Sequence, residues 1–350
     1  MKRIITSVIT ILALSLACSA AERLEFKKDS TFRIMQLTDL HLRFRYPDDH
    51  DKVLGRIRGM AQKERPDIII ITGDIIYGRP AAPMGKRIIE ALDSLEIPWL
   101  VVYGNHDAEA GMSRADLSAL YASGKYNINT LDAAGELADM EIPVLCSGIP
   151  AWYIYAMDSH DYCPDKSIGH YASFSFDQVG WMRERCSARR AQDGTTAPSV
   201  AFFHIPLHEY LDAWSPMDDA HMGQADTRHC WGIRGEAVCC GALNTGMFAA
   251  MREGGSIVAT FAGHDHDSDY VACYKGIALC YGRYSGGNGE YNNLAPGARL
   301  IELKAGSREI RTWIRDCQGR IVRHMKTDGD TITEKFSDRP KGGLYGTWPE

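Results

Sequence analysis

Residues 67–72 read DIIIIT. Four consecutive isoleucines leave no polar face, so a strand here must be buried on both sides, as in a helix-covered parallel sheet. The flanking sequence fits that requirement. RIMQLT (33–38) is a short apolar run. DDHDKVLGRIRGMAQKE (48–64) then places Val53, Leu54, Ile57 and Met60 on one helical face. PMGKRIIEALDSL (83–95) reads as a second helix and PWLVVY (98–103) as a third strand. Three strands separated by two helices predict a parallel sheet with right-handed crossovers.

The second half repeats the rhythm more loosely. WYIYAM (152–157), SVAFF (199–203) and SIVATFAG (256–263) read as strands. FDQVGWMRERCSARR (176–190) and NTGMFAAMRE (244–253) read as helices. YVACY, IALCYG, RLIEL and REIRTWIR come next as short strands of a mixed sheet. The fold class expected is α/β, with two mixed β-sheets packed face to face and helices outside, an αββα sandwich of four layers. Three segments are expected: a signal peptide at 1–21, one domain at 22–325, and a polar surface tail at 326–350.

The strand ends carry a distinctive set of residues. Asp39-Leu40-His41 comes after the first strand, Gly73-Asp74 after the second, and Gly104-Asn105-His106-Asp107 after the third. SVAFF ends in His204, and the run ending at Gly263 continues as His264-Asp265-His266. The carboxyl ends of parallel strands share one sheet edge, where ligands bind, so these groups should converge. One histidine at a strand end is ordinarily a satisfied structural residue. Five strands ending this way call for another account. Converging carboxylates repel and raise each other's pKa, and a cation removes that cost. Mixed oxygen and imidazole donors suit Zn, Mn or Fe better than Ca or Mg. The groups exceed what one tetrahedral ion uses, so two ions sharing a carboxylate fit better.

In this pattern the chain resembles the calcineurin-like metallophosphoesterase superfamily over about residues 33–305. All five blocks of that family's motif stand in order: DxH, GD, GNH followed by D or E, a lone His, and GHxH. FFHIPLHEY and AGHDHDSDY are similar to the small single-domain phosphatases near the purple acid phosphatases. The resemblance implies the site. Asp39, His41, Asp74 and His266 hold a first metal; Asp74, Asn105, His204 and His264 hold a second, with Asp74 bridging. His106 stays off the metals and meets the phosphate or leaving group, and Asp107 orients His106 from behind. The resemblance also implies two metal ions (Fe, Zn or Mn) and a small phosphorylated substrate, with in-line attack of a metal-bridging hydroxide on a phosphate monoester. The alternatives are a phosphodiesterase or nucleotide-cleaving hydrolase of the same superfamily, and an inactive surface protein that keeps its metals for stability. One departure stands out. Gly73-Asp74-Ile75-Ile76-Tyr77 matches the GDxxY of purple acid phosphatases, which usually carry glycine where this chain has His41. The expectation is that His41 is the ligand, Tyr77 packs nearby, and the protein is not purple.

The formal net charge of −6, with no basic block, argues against non-specific nucleic-acid binding. Lys2 and Arg3, the apolar run Ile4–Ala17, and Ser19-Ala20-Ala21 have the order of an export signal, and no segment reaches membrane-spanning length. The chain is therefore expected to be exported, whether periplasmic, secreted or an outer-membrane lipoprotein. Leu16-Ala17-Cys18 also resembles a lipoprotein cleavage box, which would place a lipid anchor on Cys18, although a removed leader is the favoured reading. Of the other cysteines, Cys273 and Cys280 bracket a tight turn and are expected to pair; Cys230 with Cys239 or Cys240 is a weaker pairing. His208, Glu209 and the Gly/Asn-rich stretch 283–293 are candidates to border the pocket, each balanced by a structural reading. His160-Asp161, His221 and His229 are expected in solvated loops, and Asp265 and Asp267 in the turn or behind the ligands.

Overall fold

The computed structural model describes residues 24–193, 196–218, 222–287 and 293–337. The expected leader with Cys18, His221 and the centre of the 283–293 stretch lie outside these residues.

The first half runs β1 (Thr31–Leu37), α1 (Pro47–Glu64), β2 (Ile68–Thr72), α2 (Ala81–Asp93) and β3 (Trp99–Val102). Next come α3 (Arg114–Ala122), β4 (Met140–Cys146), β5 (Ile149–Ala156), α4 (Phe176–Asp193) and β6 (Ser199–Phe202). The chain continues through α5 (Glu209–Asp218), β7 (Gly223–Asp226), β8 (Cys230–Arg234), α6 (Met247–Gly254) and β9 (Ile257–Ala262). It closes with β10 (Val271–Tyr274), β11 (Ile277–Tyr281), β12 (Gly297–Lys304), β13 (Ile310–Asp316), β14 (Ile321–Thr327) and β15 (Ile332–Lys335).

These strands build two mixed sheets. One has the order β15-β14-β13-β12-β1-β2-β3, the other β4-β5-β6-β9-β11-β10-β8-β7. The parallel strands β1, β2 and β3 lie side by side in the first sheet, as do β5, β6, β9 and β11 in the second. The two-residue period of β2 explains why the isoleucine run is continuous. Ile69 and Ile71 face outward into a core with Val53, Leu54 and Ile57 of α1 and Ile88 and Leu92 of α2. Ile68 and Ile70 face inward, into a core between the sheets with Trp152, Ile154, Val200, Phe202 and Phe261. A third core covers the far side of the second sheet, where Met182, Trp214 and Met251 from α4, α5 and α6 meet Tyr155, Phe203 and Leu279. The layers are thus helix, sheet, sheet, helix, as expected.

Two expectations need correction. The segment from 326 is not wholly a surface tail, because its residues 326–327 end β14 and residues 332–335 form β15, which pairs with β14. The apolar Ile332, buried in the inter-sheet core, is the residue that ties this edge down. Nor do Cys273 and Cys280 form a disulfide. The turn between β10 and β11 uses Lys275 and Gly276, both at positive φ, and this register sets Cys273 opposite Ala278 and Cys280 opposite Val271. The two cysteines are diagonal rather than facing, and burial pushes each thiol up to about 12. Cys230 is not bonded to Cys239 or Cys240 either.

Ile70 is fully buried between the sheets. Ile70→Ala should cost about 2–5 kcal/mol through lost transfer energy and the cavity left behind. Chemical denaturation should show a lower midpoint, and an unchanged midpoint would mean that the inter-sheet core relaxes around the gap.

Candidate metal centre

The carboxyl ends of β1, β2, β3, β6 and β9 meet at one edge of the two-sheet sandwich. Asp39 and His41 leave β1, Asp74 leaves β2, Asn105 and His106 leave β3, His204 leaves β6, and His264 and His266 leave β9. The backbone bends sharply there. Asp39, His41, Asp74 and His264 all have positive φ, at 54°, 46°, 52° and 76°. Non-glycine residues adopt this conformation only when their surroundings impose it. Two glycines make room for the convergence. A Cβ on Gly104 would stand 2.2 Å from Asp74 Oδ1, and one on Gly73 would stand 2.6 Å from the Gly104 nitrogen.

The expected ligands form two groups, Asp39 with His41 and His266, and Asp74 with His204 and His264; His41, Asp74 and His106 form a further group, as do Cys239, His264 and Asp265. Asp74 Oδ2 lies 3.4 Å from His41 Nε2 and 3.3 Å from His204 Nε2, so a single carboxylate oxygen faces both groups. His266 Nε2 lies 3.4 Å from Asp39 Oδ1, and His204 Nε2 lies 3.2 Å from both Asn105 Oδ1 and His264 Nδ1. These spacings are longer than charge-assisted hydrogen bonds, which run about 2.7–2.9 Å. They match the roughly 3.3–3.5 Å between two ligands that each lie about 2.0–2.2 Å from one tetrahedral ion. Seven residues therefore suit two cations: Asp39, His41, Asp74, Asn105, His204, His264 and His266.

Supporting bonds set three of the ligands. His204 Nδ1 donates to the Thr72 carbonyl at 2.7 Å, which fixes the tautomer and leaves Nε2 for the centre. Thr38 Oγ1 donates to Asp39 Oδ2 at 2.6 Å, and the His264 amide donates to the same oxygen at 3.1 Å. The His106 amide donates to Asp74 Oδ1 at 2.8 Å, which turns Oδ2 towards the imidazoles.

The charges are coupled. Burial would raise the pKa of Asp39, but the contact with His266 and the imidazole charges of His266 and His204 bring it down to about 2. Burial also disfavours protonation of His204, yet the Asp74 carboxylate outweighs it and lifts the pKa to about 10. Burial, joined by the charge on His204, presses His264 down to about 3.

His106 stands at the rim. Its side chain is 25% exposed, against 0–9% for His41, His204 and His266. Asp107 does not lie behind it, contrary to expectation. Residues His106–Glu109 form one turn of 3₁₀ helix, which aligns side chains three apart and sends the next one elsewhere. Asp107 points into the protein and accepts backbone N–H bonds from Gly104, Asp74, Ile75 and Ile76 at 2.9–3.2 Å. Burial and the neighbouring Asp74 push its carboxyl up to about 7, against the pull of those amides. Its task is to clamp the β2 and β3 termini together. The group beside His106 is Glu109, with Oε1 3.2 Å from Nδ1. Tyr162, on the segment after β5, donates to the same Glu109 oxygen at 2.7 Å and accepts from Asn105 Nδ2 at 3.0 Å. The spacing in GNHDAE would mark Glu109 once a 3₁₀ turn is foreseen; nothing near Tyr162 in sequence marks it.

Tyr77 stacks on His41 at 5.4 Å between ring centroids and packs edge-on against His106 at 4.5 Å. Tyr284, from the 283–293 stretch, packs 4.8 Å from His266. Asp265 accepts from the Tyr281 hydroxyl at 2.5 Å, and Asp267 from the Asn293 amide at 2.5 Å. Both are buried, and Asp265 shares a group of potential ligand atoms with Cys239 and His264. His208 and Glu209 line a separate small cavity with Ser159, Pro206 and Asn244. His160 bonds to Gln178, and His229 is exposed.

The profile of the calcineurin-like phosphoesterase family matches residues 32–268, which contain every converging group above. The chain belongs to that family. A protein of Arabidopsis thaliana named "Probable inactive purple acid phosphatase 28" is 28% identical over 342 residues, covering 83% of this chain and 82% of its own length. Phosphatase DCR2 of Saccharomyces cerevisiae is 27% identical over 338 residues, covering 85% of this chain and 56% of its own length. Among solved structures, a dimetal phosphatase from Danio rerio superposes with a TM-score of 0.58 at 15% identity, covering 86% of this chain and 99% of that one. That likeness is one of fold. Membership supports a phosphoester hydrolase with candidate metal ligands.

Two outcomes test the centre. Neutral imidazole is the form that binds a metal, so loading at neutral pH expels the proton that Asp74 holds on His204. Metal affinity should therefore rise with pH, about tenfold per unit for each proton released. Competition with a chelator at about pH 6 and about pH 8 reads the slope, and a flat response would remove His204 from the ligand set. Separately, Gly104→Ala should drive Asp74 aside and lower bound metal from about two ions to under one per chain, measured by elemental analysis of folded protein.

Proposed function

We propose that this chain is an exported, dinuclear-metal phosphomonoesterase. The observation that carries the reading is the placement of Asp74 Oδ2 within 3.4 Å of an imidazole nitrogen from each ligand group. Ions held there supply Lewis acidity, which activates water and neutralises phosphate charge. The residues of the chain do the rest. Asp39 and Asp74 keep the centre's net charge modest. His204 is locked from behind by its bond to the Thr72 carbonyl and cannot swing towards a substrate. His106 stands at the rim with Nδ1 beside Glu109, which leaves Nε2 to face the oxygen that departs from phosphorus. A cavity of about 260 Å³ opens beside His41, walled by Leu40, Arg43, Tyr46, Val53 and Tyr284, and has room for the organic part of an ester.

The names of the relatives point both ways on activity, so the residues must decide. An inert metal-bearing scaffold needs only the ligands. This chain also keeps His106, placed where a leaving group would depart, and that favours turnover. His41 as ligand with Tyr77 stacked on it supports the expectation that the protein is not purple. The charged, apolar and small-residue order of segment 1–21 supports export, with leader removal favoured over lipidation at Cys18.

With metal supplied, p-nitrophenyl phosphate should be hydrolysed faster than bis(p-nitrophenyl) phosphate, and chelator should abolish both activities. His106→Ala should retain both ions and lose about 10²–10⁴-fold in turnover of an alkyl phosphate. Faster cleavage of the bis ester would assign a diesterase; hydrolysis that survives complete metal removal would end the reading.

A further inference from the structure

We propose that Glu109 and Tyr162 form a positioning pair for His106, and that the pair sets this centre up for esters with poor leaving groups, alkyl phosphates above all. The inference rests on the phosphoesterase reading above. A phosphate ester and water give phosphate and an alcohol. The water oxygen forms the new bond to phosphorus. The bond from phosphorus to the carbon-bearing oxygen breaks, leaving its electron pair on that oxygen. An aryl oxygen carries the charge unaided, whereas an alkyl oxygen must receive a proton as it leaves. His106 can give that proton only if one ring nitrogen is held and the other faces the substrate; the proton shed by the attacking water then restores the imidazole.

The 3₁₀ turn provides the hold. Eclipsed side chains three apart put Glu109 Oε1 3.2 Å from His106 Nδ1. A carboxylate at that distance is placed to take the Nδ1 proton and orient the ring, with the Tyr162 hydroxyl 3.5 Å from the same nitrogen, which leaves Nε2 turned to the centre. Glu109 itself is 39% exposed and would swing freely without a second contact. Tyr162 supplies it, donating its hydroxyl to the same oxygen at 2.7 Å. Burial and that carboxylate keep the phenol protonated, so it remains a donor. Tyr162 also accepts from Asn105 Nδ2 at 3.0 Å, which orients the amide so that Oδ1 faces His204. One hydroxyl thus registers the acid against the metal ligands. Lys166 lies over the Tyr162 ring at 5.0 Å, and the rings of Tyr77 and His41 close the other sides of His106.

The test uses full-length, metal-loaded protein with Glu109→Gln, Tyr162→Phe, His106→Ala and the double variant His106→Ala/Glu109→Gln. Bound metal, kcat and KM are measured with glycerol phosphate and p-nitrophenyl phosphate. Glu109→Gln should keep both ions and leave KM within about threefold. Its kcat for glycerol phosphate should fall about 10²-fold, and for the aryl ester at least tenfold less. The double variant should be no worse than His106→Ala alone, because both act through one group. Tyr162→Phe should show the same selective loss in smaller degree, and serves if Glu109→Gln does not fold. Equal losses on both esters, or additive losses in the double variant, overturn the pair. If His106→Ala is impaired and neither Glu109→Gln nor Tyr162→Phe is, the pair fails while the phosphoesterase reading stands. If the unaltered protein cleaves neither ester, both fall together.

Discussion

Two carboxylates buried at the junction of two sheets are the constraint on which the rest of the structure depends. Asp39 and Asp74 are each about 1% exposed. Ionised carboxylates out of water are tolerated only when opposite charge and hydrogen bonds surround them. Here the surroundings are four imidazoles, an amide and a set of backbone N–H groups, brought from five strands. The Asp74 carboxylate favours the protonated form of His204, which supplies compensating charge, and a cation held there would take the place of that proton. The same arrangement therefore accounts for the tolerance of two buried carboxylates and for their fitness as candidate metal ligands.

The strain and the scaffold are two sides of that constraint. Four ligand-bearing residues sit at positive φ, a conformation that the local sequence alone would not select. The sheets hold them there. β1, β2 and β3 are locked in register on one side, and β6 and β9 on the other, with apolar side chains filling both faces of each. Asp107 adds a polar clamp by gathering four amides from the β2 and β3 termini. A deeply buried carboxylate that looks catalytic in sequence thus turns out to be architectural, and the more exposed Glu109 takes the place beside the histidine. Exposure distinguishes them for a reason: a group that serves a rim residue must itself reach the rim.

Much of this was legible in the order of residues. The isoleucine run, the helical spacing of Val53, Leu54 and Ile57, and the polar groups after each apolar segment are local patterns, and each arises from a strand or helix period. They were enough to expect the layered sandwich and to gather the strand-end groups, from which the family resemblance singled out seven candidate ligands. What escaped was non-local or depended on local geometry finer than a period. β15 and the diagonal placement of Cys273 and Cys280 depend on strand register, which a one- or two-residue shift would change. Glu109 stands beside His106 where Asp107 was expected because a 3₁₀ turn, not an α-turn or open loop, comes after Asn105.

By itself, then, the amino-acid order determined which chemical groups stand at which strand ends, because periodicity and turn residues act over a few positions. Only the tertiary structure decided which of them touch. Tyr162 reaches Glu109 and Asn105 across more than fifty residues, and His264 meets His204 across sixty. Contacts at that separation depend on how two sheets pack, and packing is a property of the whole core rather than of any segment.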